Sequence, residues 1–299
     1  MGLEVHPTGY DVGAEIKGVD LGKPLTAETV ERIEAAFRAH QVLLFRGAQL
    51  EPQAFVDFSA SFGALRRHIQ AAFRHPTVPE IVYNRNVDDD GKFDEAGASR
   101  GVTNNLREGW HSDSSYEDPP VKATSVHALE IPSSGGNTCF ASAYRAYETL
   151  PAAFKERIKD LKAEFALGRN KRNDQTKALT AKLPKHAKEE PTVAHPVVCR
   201  HPETGRPAIF ANPLITVRIL DVGDAESEDI LETLFDHIHA AGTSDEHWEH
   251  QWQVGDTLMW DNRGGLMHSG RKDYPLNERR IMFRCAIGAS AIEAYAAAA

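Results

Sequence analysis

The segment EGWHSDSSYEDPP, residues 108–120, sets His111 and Asp113 one residue apart. In an extended backbone, residues two along point the same way, so these two offer an imidazole nitrogen and a carboxylate oxygen to a common point. Two ligands are not a metal site. A third stands in WDNRGGLMHSG, where His268 follows a strand ending at Trp260-Asp261-Asn262 and a glycine-rich turn. Two histidines and one carboxylate on one face of an ion form the facial triad of non-haem Fe(II) oxygenases, which keeps positions open for co-substrate and O2. The same donors hold Zn2+ with a position open for water, as in hydrolases.

An anchor for 2-oxoglutarate separates these two chemistries, and RRIMFRCAI, residues 279–287, offers one. Alternation puts Arg280, Met282 and Arg284 on one face and Ile281, Phe283, Cys285 and Ile287 on the other, which is apolar core. A guanidinium buried beside such a core needs an anionic partner, because leaving it unpaired is very costly. Four strand rises separate the two arginines by about 13 Å. That is room for one to hold the far carboxylate of 2-oxoglutarate and the other an anionic substrate. An edge strand whose arginines face water fits the same pattern.

These residues need a scaffold, and 299 residues, 41% hydrophobic and 26% charged, make one large soluble domain or two small ones. Residues 24–40 space Val30, Ile33 and Phe37 as an amphipathic helix, 41–47 read as a buried strand, and 51–63 as a second helix with Pro52 in its first turn. Further strands are expected at 121–131, 193–199, 206–211, 249–254, 256–260 and 279–288, and helices at 142–149, 151–162 and Asp224–Ala241. Short strands punctuated by Gly and Pro, with helices set apart, predict a mainly β fold with flanking helices, a double-stranded β-helix or jelly roll. Two stretches poor in apolar periodicity, 85–109 and 169–192, are expected to be a lid insertion and a mobile connection.

The formal net charge of −9 provides no basic footprint for nucleic acid, so any anionic ligand must be held by local arginines. Nothing reaches the roughly 18 apolar residues of a membrane span, and MGLEVHPTGYDV has no apolar run of signal-peptide length. Cys139, Cys199 and Cys285 form no CxxC pair. A cytoplasmic protein with no membrane partner is expected.

Eight segments in order, GAEIKGVDL near residue 13, HQVLLFRG at 40, FGAL at 62, WHSD at 110, PSSGGNTCFAS at 132, HPETGRPAIFAN at 201, WDNRGGLMH at 260 and DYPLNERRIMFR at 273, carry a resemblance. Over nearly its whole length the chain resembles the taurine dioxygenase and 2,4-dichlorophenoxyacetate dioxygenase (TauD/TfdA) family of Fe(II)/2-oxoglutarate enzymes. The resemblance implies one jelly-roll domain over 1–299, with Fe(II) held by His111, Asp113 and His268. It implies that Arg280 pairs with the distal carboxylate of 2-oxoglutarate beside the hydroxyl of Thr138, in GGNT, and that O2 is the other co-substrate. Counting from His268 selects Arg279 instead; the RRIM and RxxxR pattern selects Arg280. The implied reaction hydroxylates a C–H of a small organic anion, whose product collapses to a carbonyl and a leaving group when that carbon carries a suitable heteroatom.

The resemblance further places Arg284 on the substrate's anionic group, with His68 after the FG of the second helix and Ile215, in NPLITVRI, facing substrate. Arg107 stands where the taurine enzymes often carry Asn, and with Arg66 and Arg67 it suggests a different, larger anion. Asp113 argues against a halogenase, which would have Gly or Ala there. Relatives are often dimers or tetramers. The rival readings are a His2Asp zinc hydrolase and a non-catalytic jelly-roll binding protein, neither of which needs a dicarboxylate cradle. Of the other histidines, His237 and His239 do not share a helix face, His247 and His250 suit the solvated start of a strand, His195 and His201 suit scaffold, and His127 suits the core beside the metal strand.

Overall fold

In the computed structural model, residues 2–68, 73–94, 102–170 and 192–295 are described. The chain begins with β1 (Glu4–Pro7) and β2 (Ala14–Lys17), then α1 (Ala27–His40), β3 (Val42–Phe45), α2 (Pro52–Ala60), β4 (Leu65–Arg66) and β5 (Val82–Arg85). After α3 (Leu106–Gly109) come β6 (Ala123–Glu130), β7 (Thr138–Ser142), α4 (Ala143–Glu148), α5 (Ala152–Ile158) and β8 (Lys162–Phe165). Next are β9 (Val193–Pro196), β10 (Val198–Arg200), β11 (Pro207–Ile209), β12 (Thr216–Ile219) and the long α6 (Asp224–Ala241). The last strands are β13 (Trp248–His250), β14 (Thr257–Asp261), β15 (Leu266–Gly270), β16 (Ile281–Ile287) and β17 (Glu293–Ala294).

Side-chain alternation sorts β3 between two layers. Val42 and Leu44 join a cluster with Phe140 and Trp248, whereas Leu43 and Phe45 join another with Ile33, Phe37, Phe55 and Phe58 of the first two helices. The first cluster lies between a large sheet, ordered β1-β2-β3-β14-β6-β16-β4 with β5 also on β16, and a smaller β13-β7-β15 sheet. Two facing sheets with helices on their outer sides are the jelly roll with flanking helices that the pattern predicts. On the far side α6 buries Ile230, Leu231, Leu234, Phe235 and Ile238 with Ala141 and Met267 of the smaller sheet. Each such side chain contributes about 1.5–3 kcal/mol when fully buried. The helix ends are also as the residue types require: Thr26 caps α1 by accepting from the Thr29 N–H, and Arg38 and His40 sit in its last turn.

Local departures have local causes. The helix expected over 151–162 stops at Ile158, and the chain turns so that Leu161 and the β8 residues Ala163 and Phe165 pack into the core from a strand. Of the insertion at 85–109, residues 95–101 lie outside the described residues, as do 171–191 of the connection at 169–192. The described flanks of the insertion are tied down. Val87 bridges Phe93, and Thr103 bridges Arg271 just past β15.

Gly242, the C-cap of α6, meets the buried Trp110 next to His111; a Cβ there would lie 2.2 Å from the Trp110 ring. Gly242→Ala should therefore cost about 1–3 kcal/mol, read as a lowered Tm. Gly223→Ala, at the other end of α6 with nothing within 4 Å, should leave Tm within a degree or so of wild type.

Candidate active site

His111 and His268 are brought together by their backbones. Each donates its N–H to the other's carbonyl, at 3.1 and 2.9 Å, and the rings lie 4.2 Å apart between centroids. Asp113 is not on the same strand end, as alternation suggested. It opens a turn, with Ser114 in the left-handed region at φ 56°. Asn262, just past β14, compensates by accepting the Asp113 N–H at 3.1 Å, while Ser112 Oγ donates to the Asn262 carbonyl at 3.0 Å. His111 Nε2 stands 3.9 Å from Asp113 Oδ1 and His268 Nε2 3.8 Å from Oδ2. The three ligand atoms all lie within 4.8 Å of one another.

The protonation states suit a metal. His111 Nδ1 is 2.7 Å from the Gly109 carbonyl, which only accepts, so Nδ1 carries the proton and Nε2 presents a lone pair. Burial, helped by the neighbouring His111, pushes the His268 imidazolium down to about 3, leaving a neutral ring. Burial alone would raise the Asp113 carboxyl, but Arg284, the two histidines and the Thr124 hydroxyl outweigh it and hold the group well below the usual carboxylate range. Its Oδ2 accepts from Thr124 Oγ1 at 2.6 Å and Trp260 Nε1 at 3.2 Å, and its Oδ1 faces Arg284 Nη2 at 3.0 Å. Asn262 Nδ2 closes the ring of bonds onto Thr124 at 3.0 Å. Two neutral imidazoles and one ionised carboxylate fit a first-row divalent ion.

On the same inner face, Arg280 is only 6% exposed, and its Nε has no hydrogen-bond partner. Its Nη2 reaches the Gly136 carbonyl at 3.3 Å, and among the described residues no carboxylate pairs with it. Such a cation costs several kcal/mol unless an anion joins it. Gly136, at φ 69°, keeps the space open, since a Cβ there would stand 3.2 Å from Arg280 Nε. Thr138 Oγ1 accepts from Trp252 Nε1 at 3.0 Å and so has its own proton to donate. A buried guanidinium and a committed hydroxyl fit the far carboxylate of 2-oxoglutarate. Arg279 points the other way, to Glu130 at 3.3 Å near the surface.

Not every expected substrate residue gathers here. Arg284 does. Arg107 is instead docked on α6, bonded to Glu232 and Asp236 at 2.7 Å each, while Arg66 pairs with Glu117 at 2.9 Å and Arg67 with Glu80 at 2.6 Å. Three arginines that already hold carboxylates do not argue for a larger anion. Ile215 is 3% exposed and belongs to the cluster beneath α6. His68 is half-buried at the edge of the described residues, its ring 5.4 Å from Phe73.

His250 is not solvated but 1% exposed, 3.0 Å from Asp256, and His201 is equally buried against Asp261 at 3.3 Å. His127 bonds Thr257 at 2.9 Å within the core. Sequence reasoning missed Thr124, Trp260 and Asn262, although two of them stand in the WDNRGGLMH segment.

The profile of the taurine catabolism dioxygenase TauD, TfdA family matches residues 4–286. The chain is 32% identical over 288 residues to pentalenolactone F synthase of Streptomyces avermitilis, covering 92% of this chain and 90% of that one. It is 30% identical over 294 residues to the α-ketoglutarate-dependent 2,4-dichlorophenoxyacetate dioxygenase of Cupriavidus pinatubonensis, covering 95% and 97%. A taurine dioxygenase structure from Burkholderia xenovorans superposes with a TM-score of 0.79 at 25% identity, covering 98% of this chain and 91% of that one.

Thr124→Val keeps the side-chain shape and removes the donor that orients Asp113. Metal affinity, measured by anaerobic titration with Fe(II) or Mn(II), should fall about 10- to 100-fold with the fold retained by circular dichroism.

Proposed function

The chain belongs to the TauD, TfdA family of dioxygenases, and on that premise we propose that it hydroxylates a C–H bond of a small carboxylate, sulfate or sulfonate. In this reading His111, Asp113 and His268 hold Fe(II), Arg280 and Thr138 hold the distal carboxylate of 2-oxoglutarate, and Arg284 holds the substrate's anionic group. Family membership makes the protein a 2-oxoglutarate-dependent non-haem iron dioxygenase, with Fe(II), 2-oxoglutarate and O2 as its requirements. The iron, when bound, supplies the oxygen activation that couples decarboxylation of 2-oxoglutarate to succinate with attack on the substrate.

The protein's own residues supply position and charge. Arg280 and Thr138 grip one end of the co-substrate, so its 2-oxo acid end is directed toward the triad. Arg284, 17% exposed and 3.0 Å from Asp113, brings a substrate anion beside the metal without a ligand position being spent on it. Where the hydroxylated carbon carries an ether or sulfate-ester oxygen, the product collapses to a carbonyl and a leaving group. The dioxygenase named for 2,4-dichlorophenoxyacetate and the structure named for taurine motivate carboxylates and sulfonates as the first substrates to try.

The single observation that carries this reading is the buried, unpaired Arg280 Nε. A zinc hydrolase would have no use for it. No helix among the described residues is long and apolar enough to cross a membrane.

In calorimetric titrations of the Mn(II)-loaded protein, Arg280→Ala should weaken 2-oxoglutarate binding by 2 kcal/mol or more, roughly 30-fold, and Arg279→Ala by less than about twofold. Arg284→Ala should spare 2-oxoglutarate. The reverse order for Arg280 and Arg284 would mean that their roles are exchanged. Substrate class is tested by succinate release with aryloxyacetates, alkyl sulfates and alkanesulfonates, with products identified by mass spectrometry. At least one class should couple, and in Arg284→Ala that coupling should be lost; retention of full coupling would remove Arg284 from the substrate site.

A further inference from the structure

A guanidinium that must stay open for a ligand cannot be held by its tip. Arg280 illustrates the problem, since among the described residues its Nε is unpartnered and its side chain makes one long bond, to the Gly136 carbonyl. Its neighbour Arg279 has the same side chain, so something must decide which of the two faces inward. The answer lies at the backbone. β5 ends at Arg85, the register partner of Ile281, and one residue later the chain leaves the sheet. Asn86 carries the pairing on with its side chain. Its N–H donates to the Arg280 carbonyl at 3.2 Å, its Oδ1 accepts the Arg280 N–H at 2.8 Å, and its Nδ2 donates to the Glu278 carbonyl at 2.8 Å.

These bonds clamp the peptide units on both sides of Arg279, so that Arg279 is turned out to Glu130 and Arg280 in to the cradle. Asn86 is itself 2% exposed, and its carbonyl accepts the Asp94 N–H at 2.9 Å, which closes the first turn of the insertion. A buried carboxamide satisfying two backbone groups that no strand reaches has a purpose beyond packing. We propose that Asn86 is the positioning residue that selects Arg280 over Arg279 as the ligand of the 2-oxoglutarate distal carboxylate. The proposal rests on the reading of Arg280 given above. It requires no contact between Asn86 and the co-substrate.

The test compares 2-oxoglutarate with 2-oxopentanoate, in which a methyl group replaces the distal carboxylate, by calorimetry on the Mn(II)-loaded protein. Wild type should strongly prefer 2-oxoglutarate. In Asn86→Ala that preference should shrink about tenfold, through weaker 2-oxoglutarate binding alone. Asn86→Ser, whose short hydroxyl cannot span both Arg280 and Glu278, should move the same way and serves if the alanine variant does not fold. An unchanged preference, whether both affinities fall together or neither moves, would overturn the proposal by making Asn86 a merely structural residue. If wild type itself does not discriminate between the two acids, the role of Arg280 fails, and with it the premise.

Discussion

The carboxylate of Asp113 is the point on which the site is built. It receives Trp260 from β14, Thr124 from β6 and Arg284 from β16, and these three strands are adjacent in the large sheet. Trp260 and Thr124 are register partners, with Ala286 next in the row. One side chain from a turn is thus bonded to three neighbouring strands at once. An acceptor held by three donors in a buried place stays ionised and cannot rotate, which is what a metal ligand arriving from an irregular segment requires. His268 arrives from the opposite, smaller sheet, and His111 is joined to it through reciprocal backbone bonds. The triad therefore spans the gap between the two sheets, and the order of strands in the jelly roll determines that its members meet.

Charge within the site is arranged with equal economy. The chain as a whole is acidic, yet the inner face of β16 carries the half-buried Arg284 and the residue before the strand is the buried Arg280. Arg284 has a partner in Asp113, whereas burial pushes the Arg280 guanidinium down from its ordinary value and no carboxylate among the described residues pairs with it. A fold that keeps a cation in that position forgoes stability that an apolar residue would supply. The compensation comes on binding, when a dicarboxylate fills the place.

Much of this was legible in the residues. Alternation in RRIMFRCAI put Phe283, Cys285 and Ile287 in the core and Arg284 on the opposite face, as found, although the strand begins at Ile281 and Met282 on the arginine face also packs among apolar residues. The continuous apolar run Val42–Phe45 was legible as a buried strand and is one, covered on both faces. What was not legible has one physical cause, the long-range partner. Arg107 looks like a substrate residue until Glu232 and Asp236 are seen beside it, and His250 looks solvated until Trp248 and Trp252 enclose it. The supports of Asp113 were hidden for the same reason. Thr124 in a strand pattern is an ordinary β residue, and only the register between β6 and β14 reveals that it faces a carboxylate.

The triad and the Arg280 cradle have one joint property to meet, service of a single metal and a single 2-oxo acid. Anaerobic titration of the protein with Fe(II) and 2-oxoglutarate reads that property directly, because chelation of Fe(II) by a 2-oxo acid produces a visible metal-to-ligand charge-transfer absorption. The band should grow only when both are present and should saturate at one equivalent of each per chain. A protein that binds Fe(II) at the triad yet develops no such band with saturating 2-oxoglutarate would contradict the account.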